Sequence, residues 1–305
     1  MAGSRSSSTR SGWRAGKSSW VPEAGATVAA LLEAAATRLR QAGSTEPRRE
    51  AWRIWADLEE QAGRRANPAE RERDAAPDAR DRYQRAVARR AAGEPLAYVT
   101  GLAGFRRLTL RADRRALIPR PETEGLVELM LGKAPAGRIA DVGTGSGCVA
   151  LALADEGRYD LVVAVDRSRE ALALARENRT RTGLPISLVL GDLLLAFEDR
   201  SLDAVVSNPP YLTEAEYGAL DRSVRDWEPA DALASGTDGL AATRRLIEQA
   251  TRVTRPGGWL GLEVDSTRAP GVARFAGESG WIDTTVHMDL FDRARYVFAR
   301  RSEAE

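Results

Sequence analysis

The sequence predicts an α/β fold in which a mostly parallel β-sheet is flanked by helices, closed along one edge by an antiparallel hairpin, and preceded by a small helical domain. Three observations carry this reading. Beyond residue 120, short β-branched runs alternate with helical stretches, the pattern of successive βαβ units. The first of those runs leads straight into a glycine-rich loop, DVGTGSG, at residues 141–147. The last two strand-like runs are joined only by Phe291 and Asp292, too short a link for anything but antiparallel pairing.

Length and composition bound the rest. At 305 residues and 43% hydrophobic content, the chain can build two ordinary cores. Its net charge of +1 advertises neither a nucleic-acid nor a membrane partner. Of the 45 basic residues only Lys17 and Lys133 are lysines, a bias read as coding preference before phosphate binding. Cys148 is the sole cysteine, so an intrachain disulfide and a cysteine-built metal site are both excluded, and no metal is expected. With no apolar run of about 18 residues and no signal-peptide core, a cytoplasmic setting is expected.

Element by element, residues 1–25 form a Ser-, Arg- and Gly-rich tail expected to be disordered. Residues 26–100 read as a helical domain. Leu31, Leu32, Ala35 and Leu39, then Trp52, Trp55, Leu58 and Ala62, recur at three- and four-residue spacing. Residues 101–120 read as a hairpin linker, since FRRLTLRADRRALIP alternates apolar and polar residues around Ala112 and Asp113. In residues 121–305, strands are expected at 138–142, 161–165, 186–190, 202–207 and 259–264, with helices at 148–156 and 168–182 among them. Right-handed crossovers make these strands parallel. The runs WIDTTVHMDL and RARYVFARR complete seven strands.

The glycine loop sits where the first strand turns into a helix. Glycines let backbone approach a ligand closely, and a helix N-terminus offers unpaired N–H groups to an anionic end. A dinucleotide fingerprint needs G-x-G-x-x-G, whereas here Cys148 stands where that motif wants glycine. Gly143, Thr144, Gly145, Ser146 and Gly147 therefore fit the carboxylate of S-adenosylmethionine better. Asp166 follows the second strand, placed to accept both ribose hydroxyls. Asp192 follows the third, placed to accept from the adenine amino group, with Leu193 against the ring. A parallel sheet finished by a hairpin also separates the Rossmann-like, seven-stranded sheet of class I S-adenosylmethionine-dependent methyltransferases from an ordinary dinucleotide-binding one.

Asn208-Pro209-Pro210-Tyr211 follows the fourth strand, at the carboxyl edge where open α/β sheets place ligands. Pro209 and Pro210 donate no N–H and hold φ fixed. The side-chain oxygen of Asn208 and the carbonyl of Pro209 can then accept both hydrogens of one planar –NH₂, while Tyr211 stacks on its plane. Magnitudes limit this role. Amide delocalisation is reflected in a rotation barrier of about 18–20 kcal/mol, against about 2.7–4 kcal/mol for one preorganised polar contact and about 7–11 kcal/mol for positioning. Orientation toward an already reactive sulfonium must carry most of the rate. His287, the only histidine, falls in a terminal strand and reads as structural.

The chain also resembles the protein-(glutamine-N5) methyltransferases of class 1 peptide chain release factors, from about residue 27 to residue 300. The resemblance rests on GEPLAY at 93–98, LIPRPETE at 117–124, the DVGTGSG loop, VSNPPY, Glu228-Pro229 with Ala232-Leu233, and Asp238-Gly239-Leu240. It implies a helical substrate-recognition domain over 26–100 and a cofactor-binding catalytic domain over 121–305. The implied acceptor is the Gly-Gly-Gln glutamine of a release factor. It also implies that residues 143–147, Asp166, Leu193 and Asn208 contact S-adenosylmethionine, that residues 208–211 contact the glutamine, and that Phe105 helps line its pocket. Gly104, Arg106-Arg107 and Asp265-Ser266 depart from the family pattern on the presumed substrate side. A monomer without nucleic-acid or membrane partners is expected. The alternatives are a ribosomal-protein glutamine methyltransferase, which usually departs from Pro-Glu-Thr-Glu, a nucleic-acid N6-adenine methyltransferase, and a catalytically silent cofactor-fold module.

Overall fold

The computed structural model describes residues 26–303, so the expected tail at 1–25 lies outside the described residues. The described residues divide into two compact units, one up to Ala88 and one from Arg89 onward. In the first, helices α1 (Val28–Gln41) and α2 (Pro47–Gln61) pack together, followed by most of α3 (Pro77–Ala91). Thr27 caps α1, its Oγ1 accepting from the Ala30 amide at 3.3 Å, and Pro47 supplies the preset φ that opens α2. The apolar stripes close on Tyr83, which is fully buried. Its ring meets Trp55 edge-on at 5.4 Å and its hydroxyl donates to the Ala51 carbonyl at 3.0 Å.

The second unit begins with the end of α3 and a short helix α4 (Leu96–Thr100), stopped by Gly101 in a left-handed conformation, φ 69°. A hairpin of β1 (Leu102–Phe105) and β2 (Leu108–Arg111) follows. Its turn is Arg106-Arg107, not Ala112-Asp113 as the alternation predicted. Arg106 takes a left-handed φ of 50° there, and carboxylates hold it in place. Its backbone N–H donates to Glu124 Oε1 at 2.9 Å, while its guanidinium pairs with Glu156 and, at 2.7 Å, with Glu128. Asp113 instead forms a local ion pair with Arg115.

Next come α5 (Pro121–Lys133), β3 (Ala136–Val142), α6 (Cys148–Glu156), β4 (Arg158–Asp166), α7 (Arg169–Thr182), β5 (Ser187–Leu190) and β6 (Leu202–Ser207). They are followed by short helices α8 (Glu214–Ala219) and α9 (Arg222–Arg225), then α10 (Ala241–Val253), β7 (Thr254–Glu263), α11 (Ala269–Glu278), β8 (Trp281–Met288) and β9 (Ala294–Arg301). The seven strands lie in the order β5-β4-β3-β6-β7-β9-β8, parallel except for β9, which runs antiparallel between β7 and β8. The order reverses at β3, so the loops leaving β3 and β4 on one side and β6 on the other open around one crevice.

Both faces of the sheet are buried, as helices on both sides require. Ile139, Ala204 and Phe298 point into one core with α5 and α6, whereas Ala140, Val205 and Val297 point into the other with α10 and α11. The terminal hairpin closes with a longer loop than its two central residues implied, 289–293. Asp289 builds that loop, its Oδ1 accepting from the backbone N–H groups of Phe291 at 2.8 Å and Arg293 at 3.0 Å. His287 stands in β8, edge-on to Phe298 at 5.7 Å. Among the described residues no helix is long and apolar enough to cross a membrane, and no cluster of side chains could hold a metal.

Candidate active site

A cavity of about 780 Å³ opens at the carboxyl edge of β3, β4 and β6. Its floor is the glycine loop. Gly143, Gly145 and Gly147 all adopt positive φ, 72°, 57° and 84°, which lets the loop fold flat against the sheet edge. The N–H groups of Gly143 and Thr144 donate to the Val165 carbonyl at 2.8 and 3.0 Å. Beneath the loop lies Asp141, 1% exposed, whose Oδ2 accepts from Thr144 Oγ1 at 2.6 Å and from the Ala150 N–H at 3.1 Å. Burial pushes its carboxyl up to about 7 against those two bonds, and the nearby Asp166 charge adds to the rise. Sequence reasoning gave Asp141 no task of its own; its place one residue before the strand ends was the available signal.

Asp166 and Asp192 reach the same cavity from the ends of β4 and β5. Asp166 accepts from the Gly145 N–H at 2.9 Å with Oδ2 and from the Ser168 N–H at 2.9 Å with Oδ1. Each oxygen keeps a second lone pair. Asp192 pairs with Arg245 through Oδ2 at 2.5 Å. Leu193, which also lines the cavity, takes a left-handed φ of 53°, a strain held by the next residue, whose N–H donates to Gln249 at 2.8 Å.

Asn208 and Pro210 form part of the opposite wall. Pro209 and Tyr211 are not among the lining residues. Pro209 is buried and Tyr211 half-buried, its phenol raised by burial and by the neighbouring Glu263 charge. Asn208 Nδ2 donates to Thr123 Oγ1 at 3.2 Å. Phe105 stands elsewhere. At 1% exposure its ring is packed with Leu110, Leu126 and Phe298 in the core, because strand alternation in β1 turns it inward and Gly104 outward. Phe105 is therefore not among the residues that line this cavity.

The structure also gives tasks to motifs whose chemistry was not evident. Glu228, with its side chain 1% exposed, accepts from Arg120 at 2.5 Å and from the Ile118 N–H at 3.1 Å. That ties the segment before α5, which lines the cavity, to the loop that also lines it at Pro229. Gly239, φ 73°, abuts the segment 208–211: a Cβ there would sit 2.3 Å from the Tyr211 carbonyl oxygen. These pairings span too many residues for a local pattern to show them.

The residues present fit S-adenosylmethionine. One cavity is lined by the glycine loop, Asp192 and Asn208 together, and Ser146 Oγ is buried beside it with no hydrogen-bond partner. Comparison with known proteins agrees. The Methyltransferase small domain family matches residues 122–226, and the PrmC N-terminal domain family matches residues 30–101. A release factor glutamine methyltransferase of Deinococcus radiodurans is 39% identical over 275 residues, 89% of this chain and 98% of that one. The chain belongs to the release factor glutamine methyltransferase family. A Streptomyces coelicolor member is 40% identical over 88% of this chain and 96% of its own length. One from Nitratidesulfovibrio vulgaris is 43% identical over 72% of this chain and 77% of its own length. As a member of this release factor glutamine methyltransferase family, the protein is an enzyme whose methyl donor is S-adenosyl-L-methionine, on the class I α/β fold.

Proposed function

We propose that this enzyme transfers the methyl group of S-adenosylmethionine to the side-chain amide nitrogen of the glutamine in the Gly-Gly-Gln motif of a class 1 peptide chain release factor. The observation that carries the reading is that Asn208 and Pro210 share one cavity with the glycine loop and Asp166. A planar –NH₂ held by Asn208 thus lies next to a nucleoside-sized site. The relatives named above supply the acceptor class.

In this reading, residues 143–147 hold the methionine end, Asp166 takes the ribose hydroxyls, and Asp192 with Leu193 holds the adenine. When bound, the cofactor supplies an electrophilic methyl on a sulfonium. The protein's part is geometric: Asn208 Oδ1 and the Pro209 carbonyl take the two amide hydrogens, and Tyr211 covers the plane. We also propose that the enzyme acts as a monomer in the cytoplasm, and that the helical unit contributes to recognition of the protein substrate.

Purified enzyme with labelled S-adenosylmethionine is expected to label a release factor and leave its Gln→Ala variant in the Gly-Gly-Gln loop unlabelled. Equal labelling of both would overturn the reading. Asn208→Ala is expected to keep cofactor affinity within a few-fold while turnover collapses. Loss of both together would make Asn208 a cofactor or folding residue instead.

A further inference from the structure

The two ends of an asparagine amide have nearly the same shape, so only their partners decide which one faces a ligand. Asn208 gives Nδ2 to Thr123 Oγ1 at 3.2 Å, which leaves Oδ1 for the cavity that both residues line. Thr123 is 3% exposed, so once its oxygen accepts from Asn208 its own hydrogen needs a buried acceptor. The Glu263 carboxyl faces that hydroxyl. Glu263 is 2% exposed, and its Oε2 has no hydrogen-bond partner.

The fold converges on this point from three directions. Thr123 lies in the first turn of α5, Asn208 directly follows β6, and Glu263 ends β7 one step beyond Leu262, which pairs with Ser207. Strand β9 locks the helix end in place: Tyr296, opposite Glu263, donates its hydroxyl to the Glu122 carbonyl at 2.5 Å. Were the Asn208 amide turned over, its N–H groups would face the hydrogens of an acceptor –NH₂, donor against donor.

We propose that Thr123, oriented by Glu263, is the positioning residue that fixes the Asn208 amide with its oxygen toward the acceptor nitrogen. The proposal rests on the reading of Asn208 as the acceptor's hydrogen-bond partner, and it assigns a task to the threonine of the Pro-Glu-Thr-Glu run.

Two measurements on the full-length protein test it. In ¹⁵N NMR, with the Asn208 side-chain signal assigned by its absence from Asn208→Ala, the Nδ2 protons should exchange with water at least ten-fold more slowly in the wild type than in Thr123→Val. In methyl transfer to a release factor, Thr123→Val should lose about 10- to 100-fold in kcat with KM and cofactor Kd within threefold. Thr123→Ser should recover to within threefold of wild type. Glu263→Gln, which keeps an acceptor oxygen, should stay close to wild type, and Glu263→Leu should follow Thr123→Val. Equal exchange in wild type and Thr123→Val would overturn the proposal, as would an undiminished kcat in Thr123→Val or a Thr123→Ser variant as slow as Thr123→Val. A wild type that fails to label release factor while its Asn208 protons are protected by Thr123 would overturn the substrate reading and support the positioning contact.

Discussion

At the scale of single residues, the candidate site is shaped in part by groups to which no binding role was expected. Gly239 is the clearest. A side chain there would meet the Tyr211 carbonyl at 2.3 Å in a backbone conformation that L-residues avoid. Gly239→Ala should therefore shift the tetrapeptide, lowering kcat at least ten-fold while calorimetry finds cofactor affinity within a few-fold of wild type. Asp141 and Glu263 give a second prediction. Burial raises both carboxyls to about 7 in the folded chain, above their unfolded range near 4. A carboxyl raised on folding contributes stability that is present below the unfolded value and is lost as pH rises through the folded one. The urea midpoint of the cofactor-free protein should fall between pH 5 and pH 8, and Asp141→Asn, which keeps an acceptor for Thr144 and Ala150, should flatten that fall. An unchanged slope in the variant would remove Asp141 from the account.

At the scale of elements, the β1–β2 hairpin shows where the sequence stops speaking. Its alternating pattern was read as turning at Ala112-Asp113, and the turn formed instead, Arg106-Arg107, carries no glycine or asparagine. What selects Arg106 is a set of carboxylates 18 to 50 residues downstream, Glu124, Glu128 and Glu156. Arg106→Ala loses those pairs and keeps the strained φ. It should cost about 1.5–3 kcal/mol for bonds to charged groups, or about 2–4 °C in Tm per kcal/mol at this size. Arg106→Gly, which relieves the strain, should melt higher than Arg106→Ala in a thermal scan. By contrast, the strands of the large sheet were readable because period, length and flanking glycines agree, and the glycine loop and NPPY segment because their chemistry is contiguous. Contacts such as Arg120 with Glu228, 108 residues apart, or Asn208 with Thr123, 85 apart, leave no local trace.

At the scale of the whole molecule, near-neutrality has a measurable correlate. A protein gripping six phosphates loses about a thousandfold or more in affinity between 50 and 200 mM salt, whereas this chain carries a net charge of +1. Its methyl transfer to a protein acceptor should change by less than about threefold over that range, and a steep salt dependence would point to a nucleic-acid acceptor instead. The order of strands in the sheet has a consequence in time as well. Tyr296 belongs to β9, which is synthesised after every other strand of the sheet, yet its hydroxyl fastens the helix end that carries Thr123, and its strand flanks Glu263. A nascent chain still short of residue 294 therefore lacks the hydroxyl that fastens the Thr123 end of α5. In the proposed role, each new copy gains full activity only once β9 has been made and has paired between β7 and β8.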